Sequence, residues 1–229
     1  MNFGYNIDMN IVPFILLGVL SIGMGAIYTI FHKREGWQGI VIKGLTMFSI
    51  LIFVLVNANL REITNALPLF MVIAMALLIL SEAIKGSQTV DENSKLIVFS
   101  IFNFVSITLF AVSAITLSSF SIFALLGGIL AGLGLGLIVC AFKKIWKVTP
   151  MLMEILVWIG VGLLLGFSLA GVLISSHFTS ALLILFGAVF MVAQRMVEKF
   201  GGNHKVIGYL TNAFYVVALI LMTTSIYFY

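Results

Sequence analysis

The chain has 229 residues, of which 62% are hydrophobic and 9% charged, with a formal net charge of +4 and a mean hydropathy of +1.23. Soluble domains carry about 25% charged residues, and a fold of this size cannot hide so much apolar surface. The composition excludes a soluble enzyme, a nucleic-acid binder and a disordered protein. The apolar runs are continuous rather than alternating, which argues against a transmembrane β-barrel. What remains is an all-α, polytopic integral membrane protein that partners membrane lipids.

A bilayer core takes about 20 apolar residues of helix to cross. Eight runs of that kind follow one another: Ile11–Phe31, Gly39–Asn57, Ala66–Ile84, Leu96–Leu117, Phe120–Phe142, Pro150–Ile174, Thr179–Met196 and Val206–Phe228. Residues 1–229 therefore read as a single transmembrane helical domain with no soluble domain. Met1–Asn10 lacks a basic segment and a small-residue cleavage site, so it reads as a tail before a retained helix. Pro13 falls in the first turn of its span, and Pro68 and Pro150 at the starts of theirs, so no span is broken near its middle.

Basic residues set the orientation. Lys33, Arg34, Lys43, Lys85, Lys95, Lys143, Lys144, Lys147, Arg195, Lys199 and Lys205 fall in or beside the odd-numbered loops, and only Arg61 falls on the other side. By the positive-inside bias the odd loops are cytoplasmic, both termini are extracytoplasmic, and the protein is multi-pass in the cell membrane.

The fifth span carries Gly128, Gly132 and Gly136 on one helix face. Such stripes let helices approach closely, either within the chain or in a homodimer. Gly160, Gly162 and Gly166, and Gly23 and Gly25, suggest the same. The halves show a faint likeness. Leu69-Phe70, Ser81-Glu82 and Lys85-Gly86 parallel Leu185-Phe186, Ala193-Gln194 and Lys199-Phe200-Gly201, and Asn103-Phe104 parallels Asn212-Ala213-Phe214. A weak 4+4 repeat of this sort has its axis along the membrane normal.

Ionisable groups inside spans are costly and mark candidate sites. Lys43 lies about one turn inside span two, Glu82 near the end of span three, Glu154 about one turn inside span six, and Gln194-Arg195 at the end of span seven. All fall at the cytoplasmic level. Asn103, Thr211 and Asn212 extend the set. Together they suggest a cavity open to the inner leaflet, in which Glu82 or Glu154 pairs with Lys43. The alternatives are snorkelling for Lys43 and Arg195 and structural ion pairs for the two glutamates.

The rest of the chain carries less chemistry. Asn57, Asn59, Arg61, Glu62 and Asn65 read as a solvated turn, and Cys140 as a packing residue. Trp37, Trp146, Trp158 and Tyr227–Tyr229 fit interfacial aromatic belts. His32, His177 and His204 have no partners at metal-ligand spacing, so no metal and no cofactor is expected. Walker, G-x-S-x-G and H-E-x-x-H motifs are absent from the sequence.

Several segments resemble the YhhN-like lysoplasmalogenases, small eight-helix membrane proteins. Lys43-Gly44-Leu45 matches a family Lys-Pro-Leu, and Leu80-Ser81-Glu82 falls at a Ser-x-x-Gly-Asp-like end of the third span. Gly187-Ala188-Val189-Phe190-Met191-Val192-Ala193-Gln194 follows, one residue shorter, the frame Gly-Ala-x-x-Phe-x-x-Ser-Asp, and Phe214-Tyr215-Val216-Val217-Ala218 echoes a Tyr-Tyr-x-Ala-Gln-like segment. The resemblance covers spans two to eight, in order. It implies hydrolysis of the vinyl ether bond of a lysophospholipid, the lysoplasmalogen. Glu82 is then the catalytic acid/base, and Lys43, Glu154, Gln194, Arg195, Asn103, Asn212 and Tyr215 line the substrate. The departures are also specific. Gln194 stands where the family has its second aspartate and cannot ionise, and Ser106 or Thr108 falls where the family has a histidine. A catalytically inactive relative that binds a lipid or amphiphile, and a small transporter or subunit of a membrane complex, are the competing readings.

Overall fold

A computed structural model describes residues 7–30, 37–57, 66–86, 91–141, 151–201 and 205–229. Lys33, Arg34, Arg61, Lys143, Lys144, Lys147, Trp146, Pro150, His32, His204 and the turn Asn59–Asn65 lie outside the described residues.

Among the described residues, eight α-helices follow in order: α1 (Ile7–Ile30), α2 (Trp37–Asn57), α3 (Ala66–Gly86), α4 (Glu92–Thr116), α5 (Ile122–Ala141), α6 (Met151–Ile174), α7 (Phe178–Phe200) and α8 (Lys205–Thr224). A 3-10 turn, η1 (Ser225–Phe228), closes the chain's last helix. A helix satisfies all of its own backbone groups, which is why unbroken runs of Leu, Ile, Val, Phe and Ala adopt it in an apolar solvent. Among the described residues, seven helices are long and apolar enough to cross a membrane; the apolar stretch of α5, Ile122–Ile138, is shorter.

Those seven close a ring in the neighbour order α1, α2, α3, α4, α6, α7, α8 and back to α1. α2 also reaches α8, and α5 lies outside the ring, packed mainly on α6. Phe110, Met47, Met71, Met75, Leu164, Ile184 and Leu219 fill the interior. The outer faces are apolar too: Leu16, Val19, Phe123, Leu130, Leu137 and Leu173 are all exposed. Exposed hydrophobics on this scale fit a lipid surround.

The glycine stripe is taken up within the chain. A Cβ on Gly132 would meet Leu163 at 2.8 Å, and one on Gly162 would meet the Gly132 backbone at 2.7 Å. Gly136 faces Ile159 in the same way, Gly128 faces Phe167, and a Cβ on Gly166 would meet the Gly128 backbone at 2.6 Å. Gly160 turns instead to Phe104 and Ile107 of α4, and Gly25 to Val216 of α8. Gly23 meets nothing within 4 Å, so it serves no close contact.

Two sequence expectations are corrected. α1 begins at Ile7, so Pro13 lies inside the helix rather than in its first turn. Trp158 is only 2% exposed. It sits four residues after Glu154, one helical turn on, and so faces the packed side of α6 instead of joining an aromatic belt.

The short connections are fixed locally. Asp91 caps α4 by accepting from the Ser94 N–H at 2.9 Å. The α4–α5 turn places Ser119 and Phe120 at φ of 51° and 54°. Between α6 and α7, Ser175 Oγ accepts from the His177 N–H at 2.9 Å, and the His177 ring lies 5.0 Å from that of Tyr229.

Candidate functional site

Four helices are pinned at one level by polar side chains. Thr46 Oγ1 donates to the Met24 carbonyl at 3.1 Å, tying α2 to α1. Tyr28 OH donates to Asn212 Oδ1 at 3.0 Å, tying α1 to α8. The Lys43 ammonium meets Glu82 Oε1 at 2.5 Å, tying α2 to α3. The same ammonium lies 5.7 Å from the Tyr28 ring centre and 5.8 Å from that of Tyr215.

Glu82 is 8% exposed. A carboxylate removed from water to that extent needs a counter-charge, and here Lys43 supplies it. The two tyrosine faces add cation–π attraction for the ammonium. Of the two glutamates available to Lys43, Glu82 is the one it pairs with. Glu154 pairs with Lys199 across α6 and α7 at 2.9 Å.

α7 brings a second set to the same level, since Phe190 on α7 and Phe214 on α8 lie 5.6 Å apart between ring centres. Gln194 Nε2 donates to Glu198 Oε2 at 2.9 Å. Arg195 Nη1 reaches the same oxygen at 3.4 Å. Gln194 and Arg195 are 7% and 9% exposed. Among the described residues, Gln194 Oε1 and Arg195 Nε have no hydrogen-bond partner. The charges of Glu82, Arg195 and Glu198 all act on the Tyr215 hydroxyl, so the two sets form one electrostatic neighbourhood. Glu82 and Glu198 act likewise on Tyr28.

Most of the expected polar residues therefore converge, with three outside. Glu154 belongs to the α6–α7 ion pair. Asn103 is buried on α4, its Oδ1 without a partner among the described residues. Thr211 bonds back to the Ile207 carbonyl within α8. A tight cleft lies beside Lys43 and Tyr215. It holds about 160 Å³ of empty space in total but nowhere seats a water molecule. Tyr28, Lys43, Thr46 and Tyr215 form its polar wall, and Met47, Val216 and Leu219 its apolar wall.

Sequence reasoning missed Tyr28 and Glu198. The signal for Glu198 was its spacing, four residues from Gln194 and three from Arg195, which is side-by-side placement on a helix. Hydropathy ends span seven at Met196, whereas α7 runs to Phe200 and so carries Glu198. Tyr28 looked like one more apolar residue at the end of α1.

Among the described residues, no three His, Cys, Asp or Glu side chains converge as metal ligands. No protein-family model, curated protein or solved structure matches the chain.

Proposed function

We propose that this membrane-type helical bundle takes the polar end of a lysolipid into the Lys43–Glu82 cluster and cleaves its vinyl ether, as the YhhN-like lysoplasmalogenases it resembles do. The observation that carries the reading is the buried Lys43–Glu82 pair flanked by the rings of Tyr28 and Tyr215. Intramembrane ionisable groups default to function because they are expensive to keep. The excess of basic residues beside the odd loops orients the cluster toward the cytoplasm.

The chemistry asks for a proton on the alkenyl carbon that becomes the aldehyde's α-carbon, then water on the resulting oxocarbenium carbon. The hemiacetal collapses to a fatty aldehyde and a glycerophospho head group. Glu82 gives the first proton and recovers one from the water, so the carboxyl ends as it began. Lys43 stabilises the Glu82 carboxylate that exists between those two proton transfers, and Gln194 orients the head group.

A second reading has a specific observation in its favour. Gln194 has no proton to give where the resembling family has an aspartate, and the cleft beside Lys43 is too tight to seat a water molecule. A bundle that binds an amphiphile without turning it over fits both facts. Purification with lipid mass spectrometry, followed by a lysoplasmalogen hydrolysis assay, separates the two. Turnover that vanishes in Glu82→Gln supports the hydrolase. Undiminished turnover in that variant removes Glu82 from the chemistry. No turnover with a retained lipid supports the binder.

A further inference from the structure

Glu198 is held by two buried groups that it satisfies poorly. One of its oxygens, Oε2, serves both the Gln194 amide and the Arg195 guanidinium, the latter at 3.4 Å. A charge-assisted N–H···O bond is normally about 2.7–2.9 Å long, so the guanidinium contact is slack. Arg195 Nε and Gln194 Oε1, both buried, have no partner among the described residues. One is an unused donor and the other an unused acceptor. The Glu198 side chain itself is 43% exposed, so it can leave for water without carrying a charge through the interior.

We infer that Gln194 and Arg195 form an anion site for the phosphate of a lysophospholipid, and that Glu198 is an internal stand-in which this phosphate displaces. The inference deepens the lysolipid reading and rests on it for the acyl chain. The choice of phosphate follows from the unused atoms. A guanidinium presents its donors as a fork, which the several oxygens of a phosphate fill from two sides. A lone carboxylate is already present and leaves Nε open, so a fatty acid gains nothing over Glu198. Gln194 Oε1 needs a donor, and a glycerol hydroxyl next to the phosphate is one. The lipid source is favoured because Arg195 lies inside the apolar stretch Phe178–Lys199, on a helix that also exposes Val189 and Met196.

The test uses the full chain in a maltoside detergent, which carries no phosphate. Affinity is titrated by tryptophan fluorescence for lysophosphatidylethanolamine, a monoacylglycerol and a fatty acid of one chain length, and soluble glycerol 3-phosphate. The lysophospholipid is expected to bind about tenfold tighter than each of the others. Glu198→Gln, which keeps the side chain's size, should tighten the lysophospholipid several-fold and leave the monoacylglycerol unchanged. Arg195→Gln should abolish the preference. If Arg195→Gln does not fold, Glu198→Gln decides alone. Unchanged or weakened lysophospholipid binding in Glu198→Gln overturns the stand-in role. Equal binding of the fatty acid overturns the choice of phosphate, and equal binding of glycerol 3-phosphate overturns the lipid source. The binding pattern without aldehyde release supports the anion site while removing the reaction assigned to Glu82, so the two failures are distinct.

Discussion

Lys43 on α2 and Glu82 on α3 form an ion pair in which the carboxylate is 8% exposed. Removing one partner leaves the other buried and uncompensated. Glu82→Leu or Lys43→Met alone should each destabilise the bundle by about 3–5 kcal/mol. The double variant, which leaves no orphaned charge, should cost far less than the sum. A double-mutant cycle on thermal or denaturant unfolding in detergent checks this; additive losses would mean that the pair is not coupled.

The close approach of α5 and α6 depends on Gly162 meeting the Gly132 backbone. A methyl group there has backbone, not a flexible side chain, as its neighbour. Gly162→Ala should destabilise by about 1–3 kcal/mol. Gly134→Ala, whose Cβ meets nothing within 4 Å, should be neutral or mildly stabilising. Comparing the melting temperatures of the two variants reads the difference.

The α4–α5 turn holds Ser119 at φ 51°. A left-handed conformation costs an ordinary residue about 1–2 kcal/mol, and glycine's entropy returns part of the gain. Ser119→Gly should therefore stabilise by about 0.5 kcal/mol, and the β-branched Ser119→Val should destabilise. Unfolding of both variants gives the sign.

Asp91 caps α4, and its hydrogen bonds from Ser94 hold its carboxyl below the ordinary value of 3.8. A depressed folded pKa means stability that is present above the unfolded pKa and lost as pH falls through the folded one. Hydrogen exchange at the Ser94 amide should stay slow at neutral pH. Its protection should begin to fall near pH 3.8 and disappear below the folded value. Asp91→Asn should flatten that dependence.

How far the sequence reached follows its physics. Hydropathy is additive along the chain, so the helix positions came within a few residues, as with Ala66–Ile84 against α3 at Ala66–Gly86. Embedded polarity marks Lys43, Glu82 and the adjacent Gln194-Arg195, because each interrupts an apolar run. Pairing depends on helix neighbours, which the sequence does not state. In the sequence Lys43 is therefore open to either glutamate, and the packing of α3 on α2 decides for Glu82. Tyr28 escaped because a tyrosine in an apolar run carries no charge signal. Glu198 escaped because a polar last turn of helix reads as loop.

The most direct measurement is aldehyde release from a lysoplasmalogen by the purified, reconstituted chain, alone and as Glu82→Gln. With Glu82 as the acid/base, the wild type should turn the lipid over and Glu82→Gln should be slower by at least about 100-fold, with lysophospholipid binding retained. Equal rates in the two proteins would contradict the assignment of Glu82, and no release from a wild type that binds the lipid would contradict the hydrolase itself.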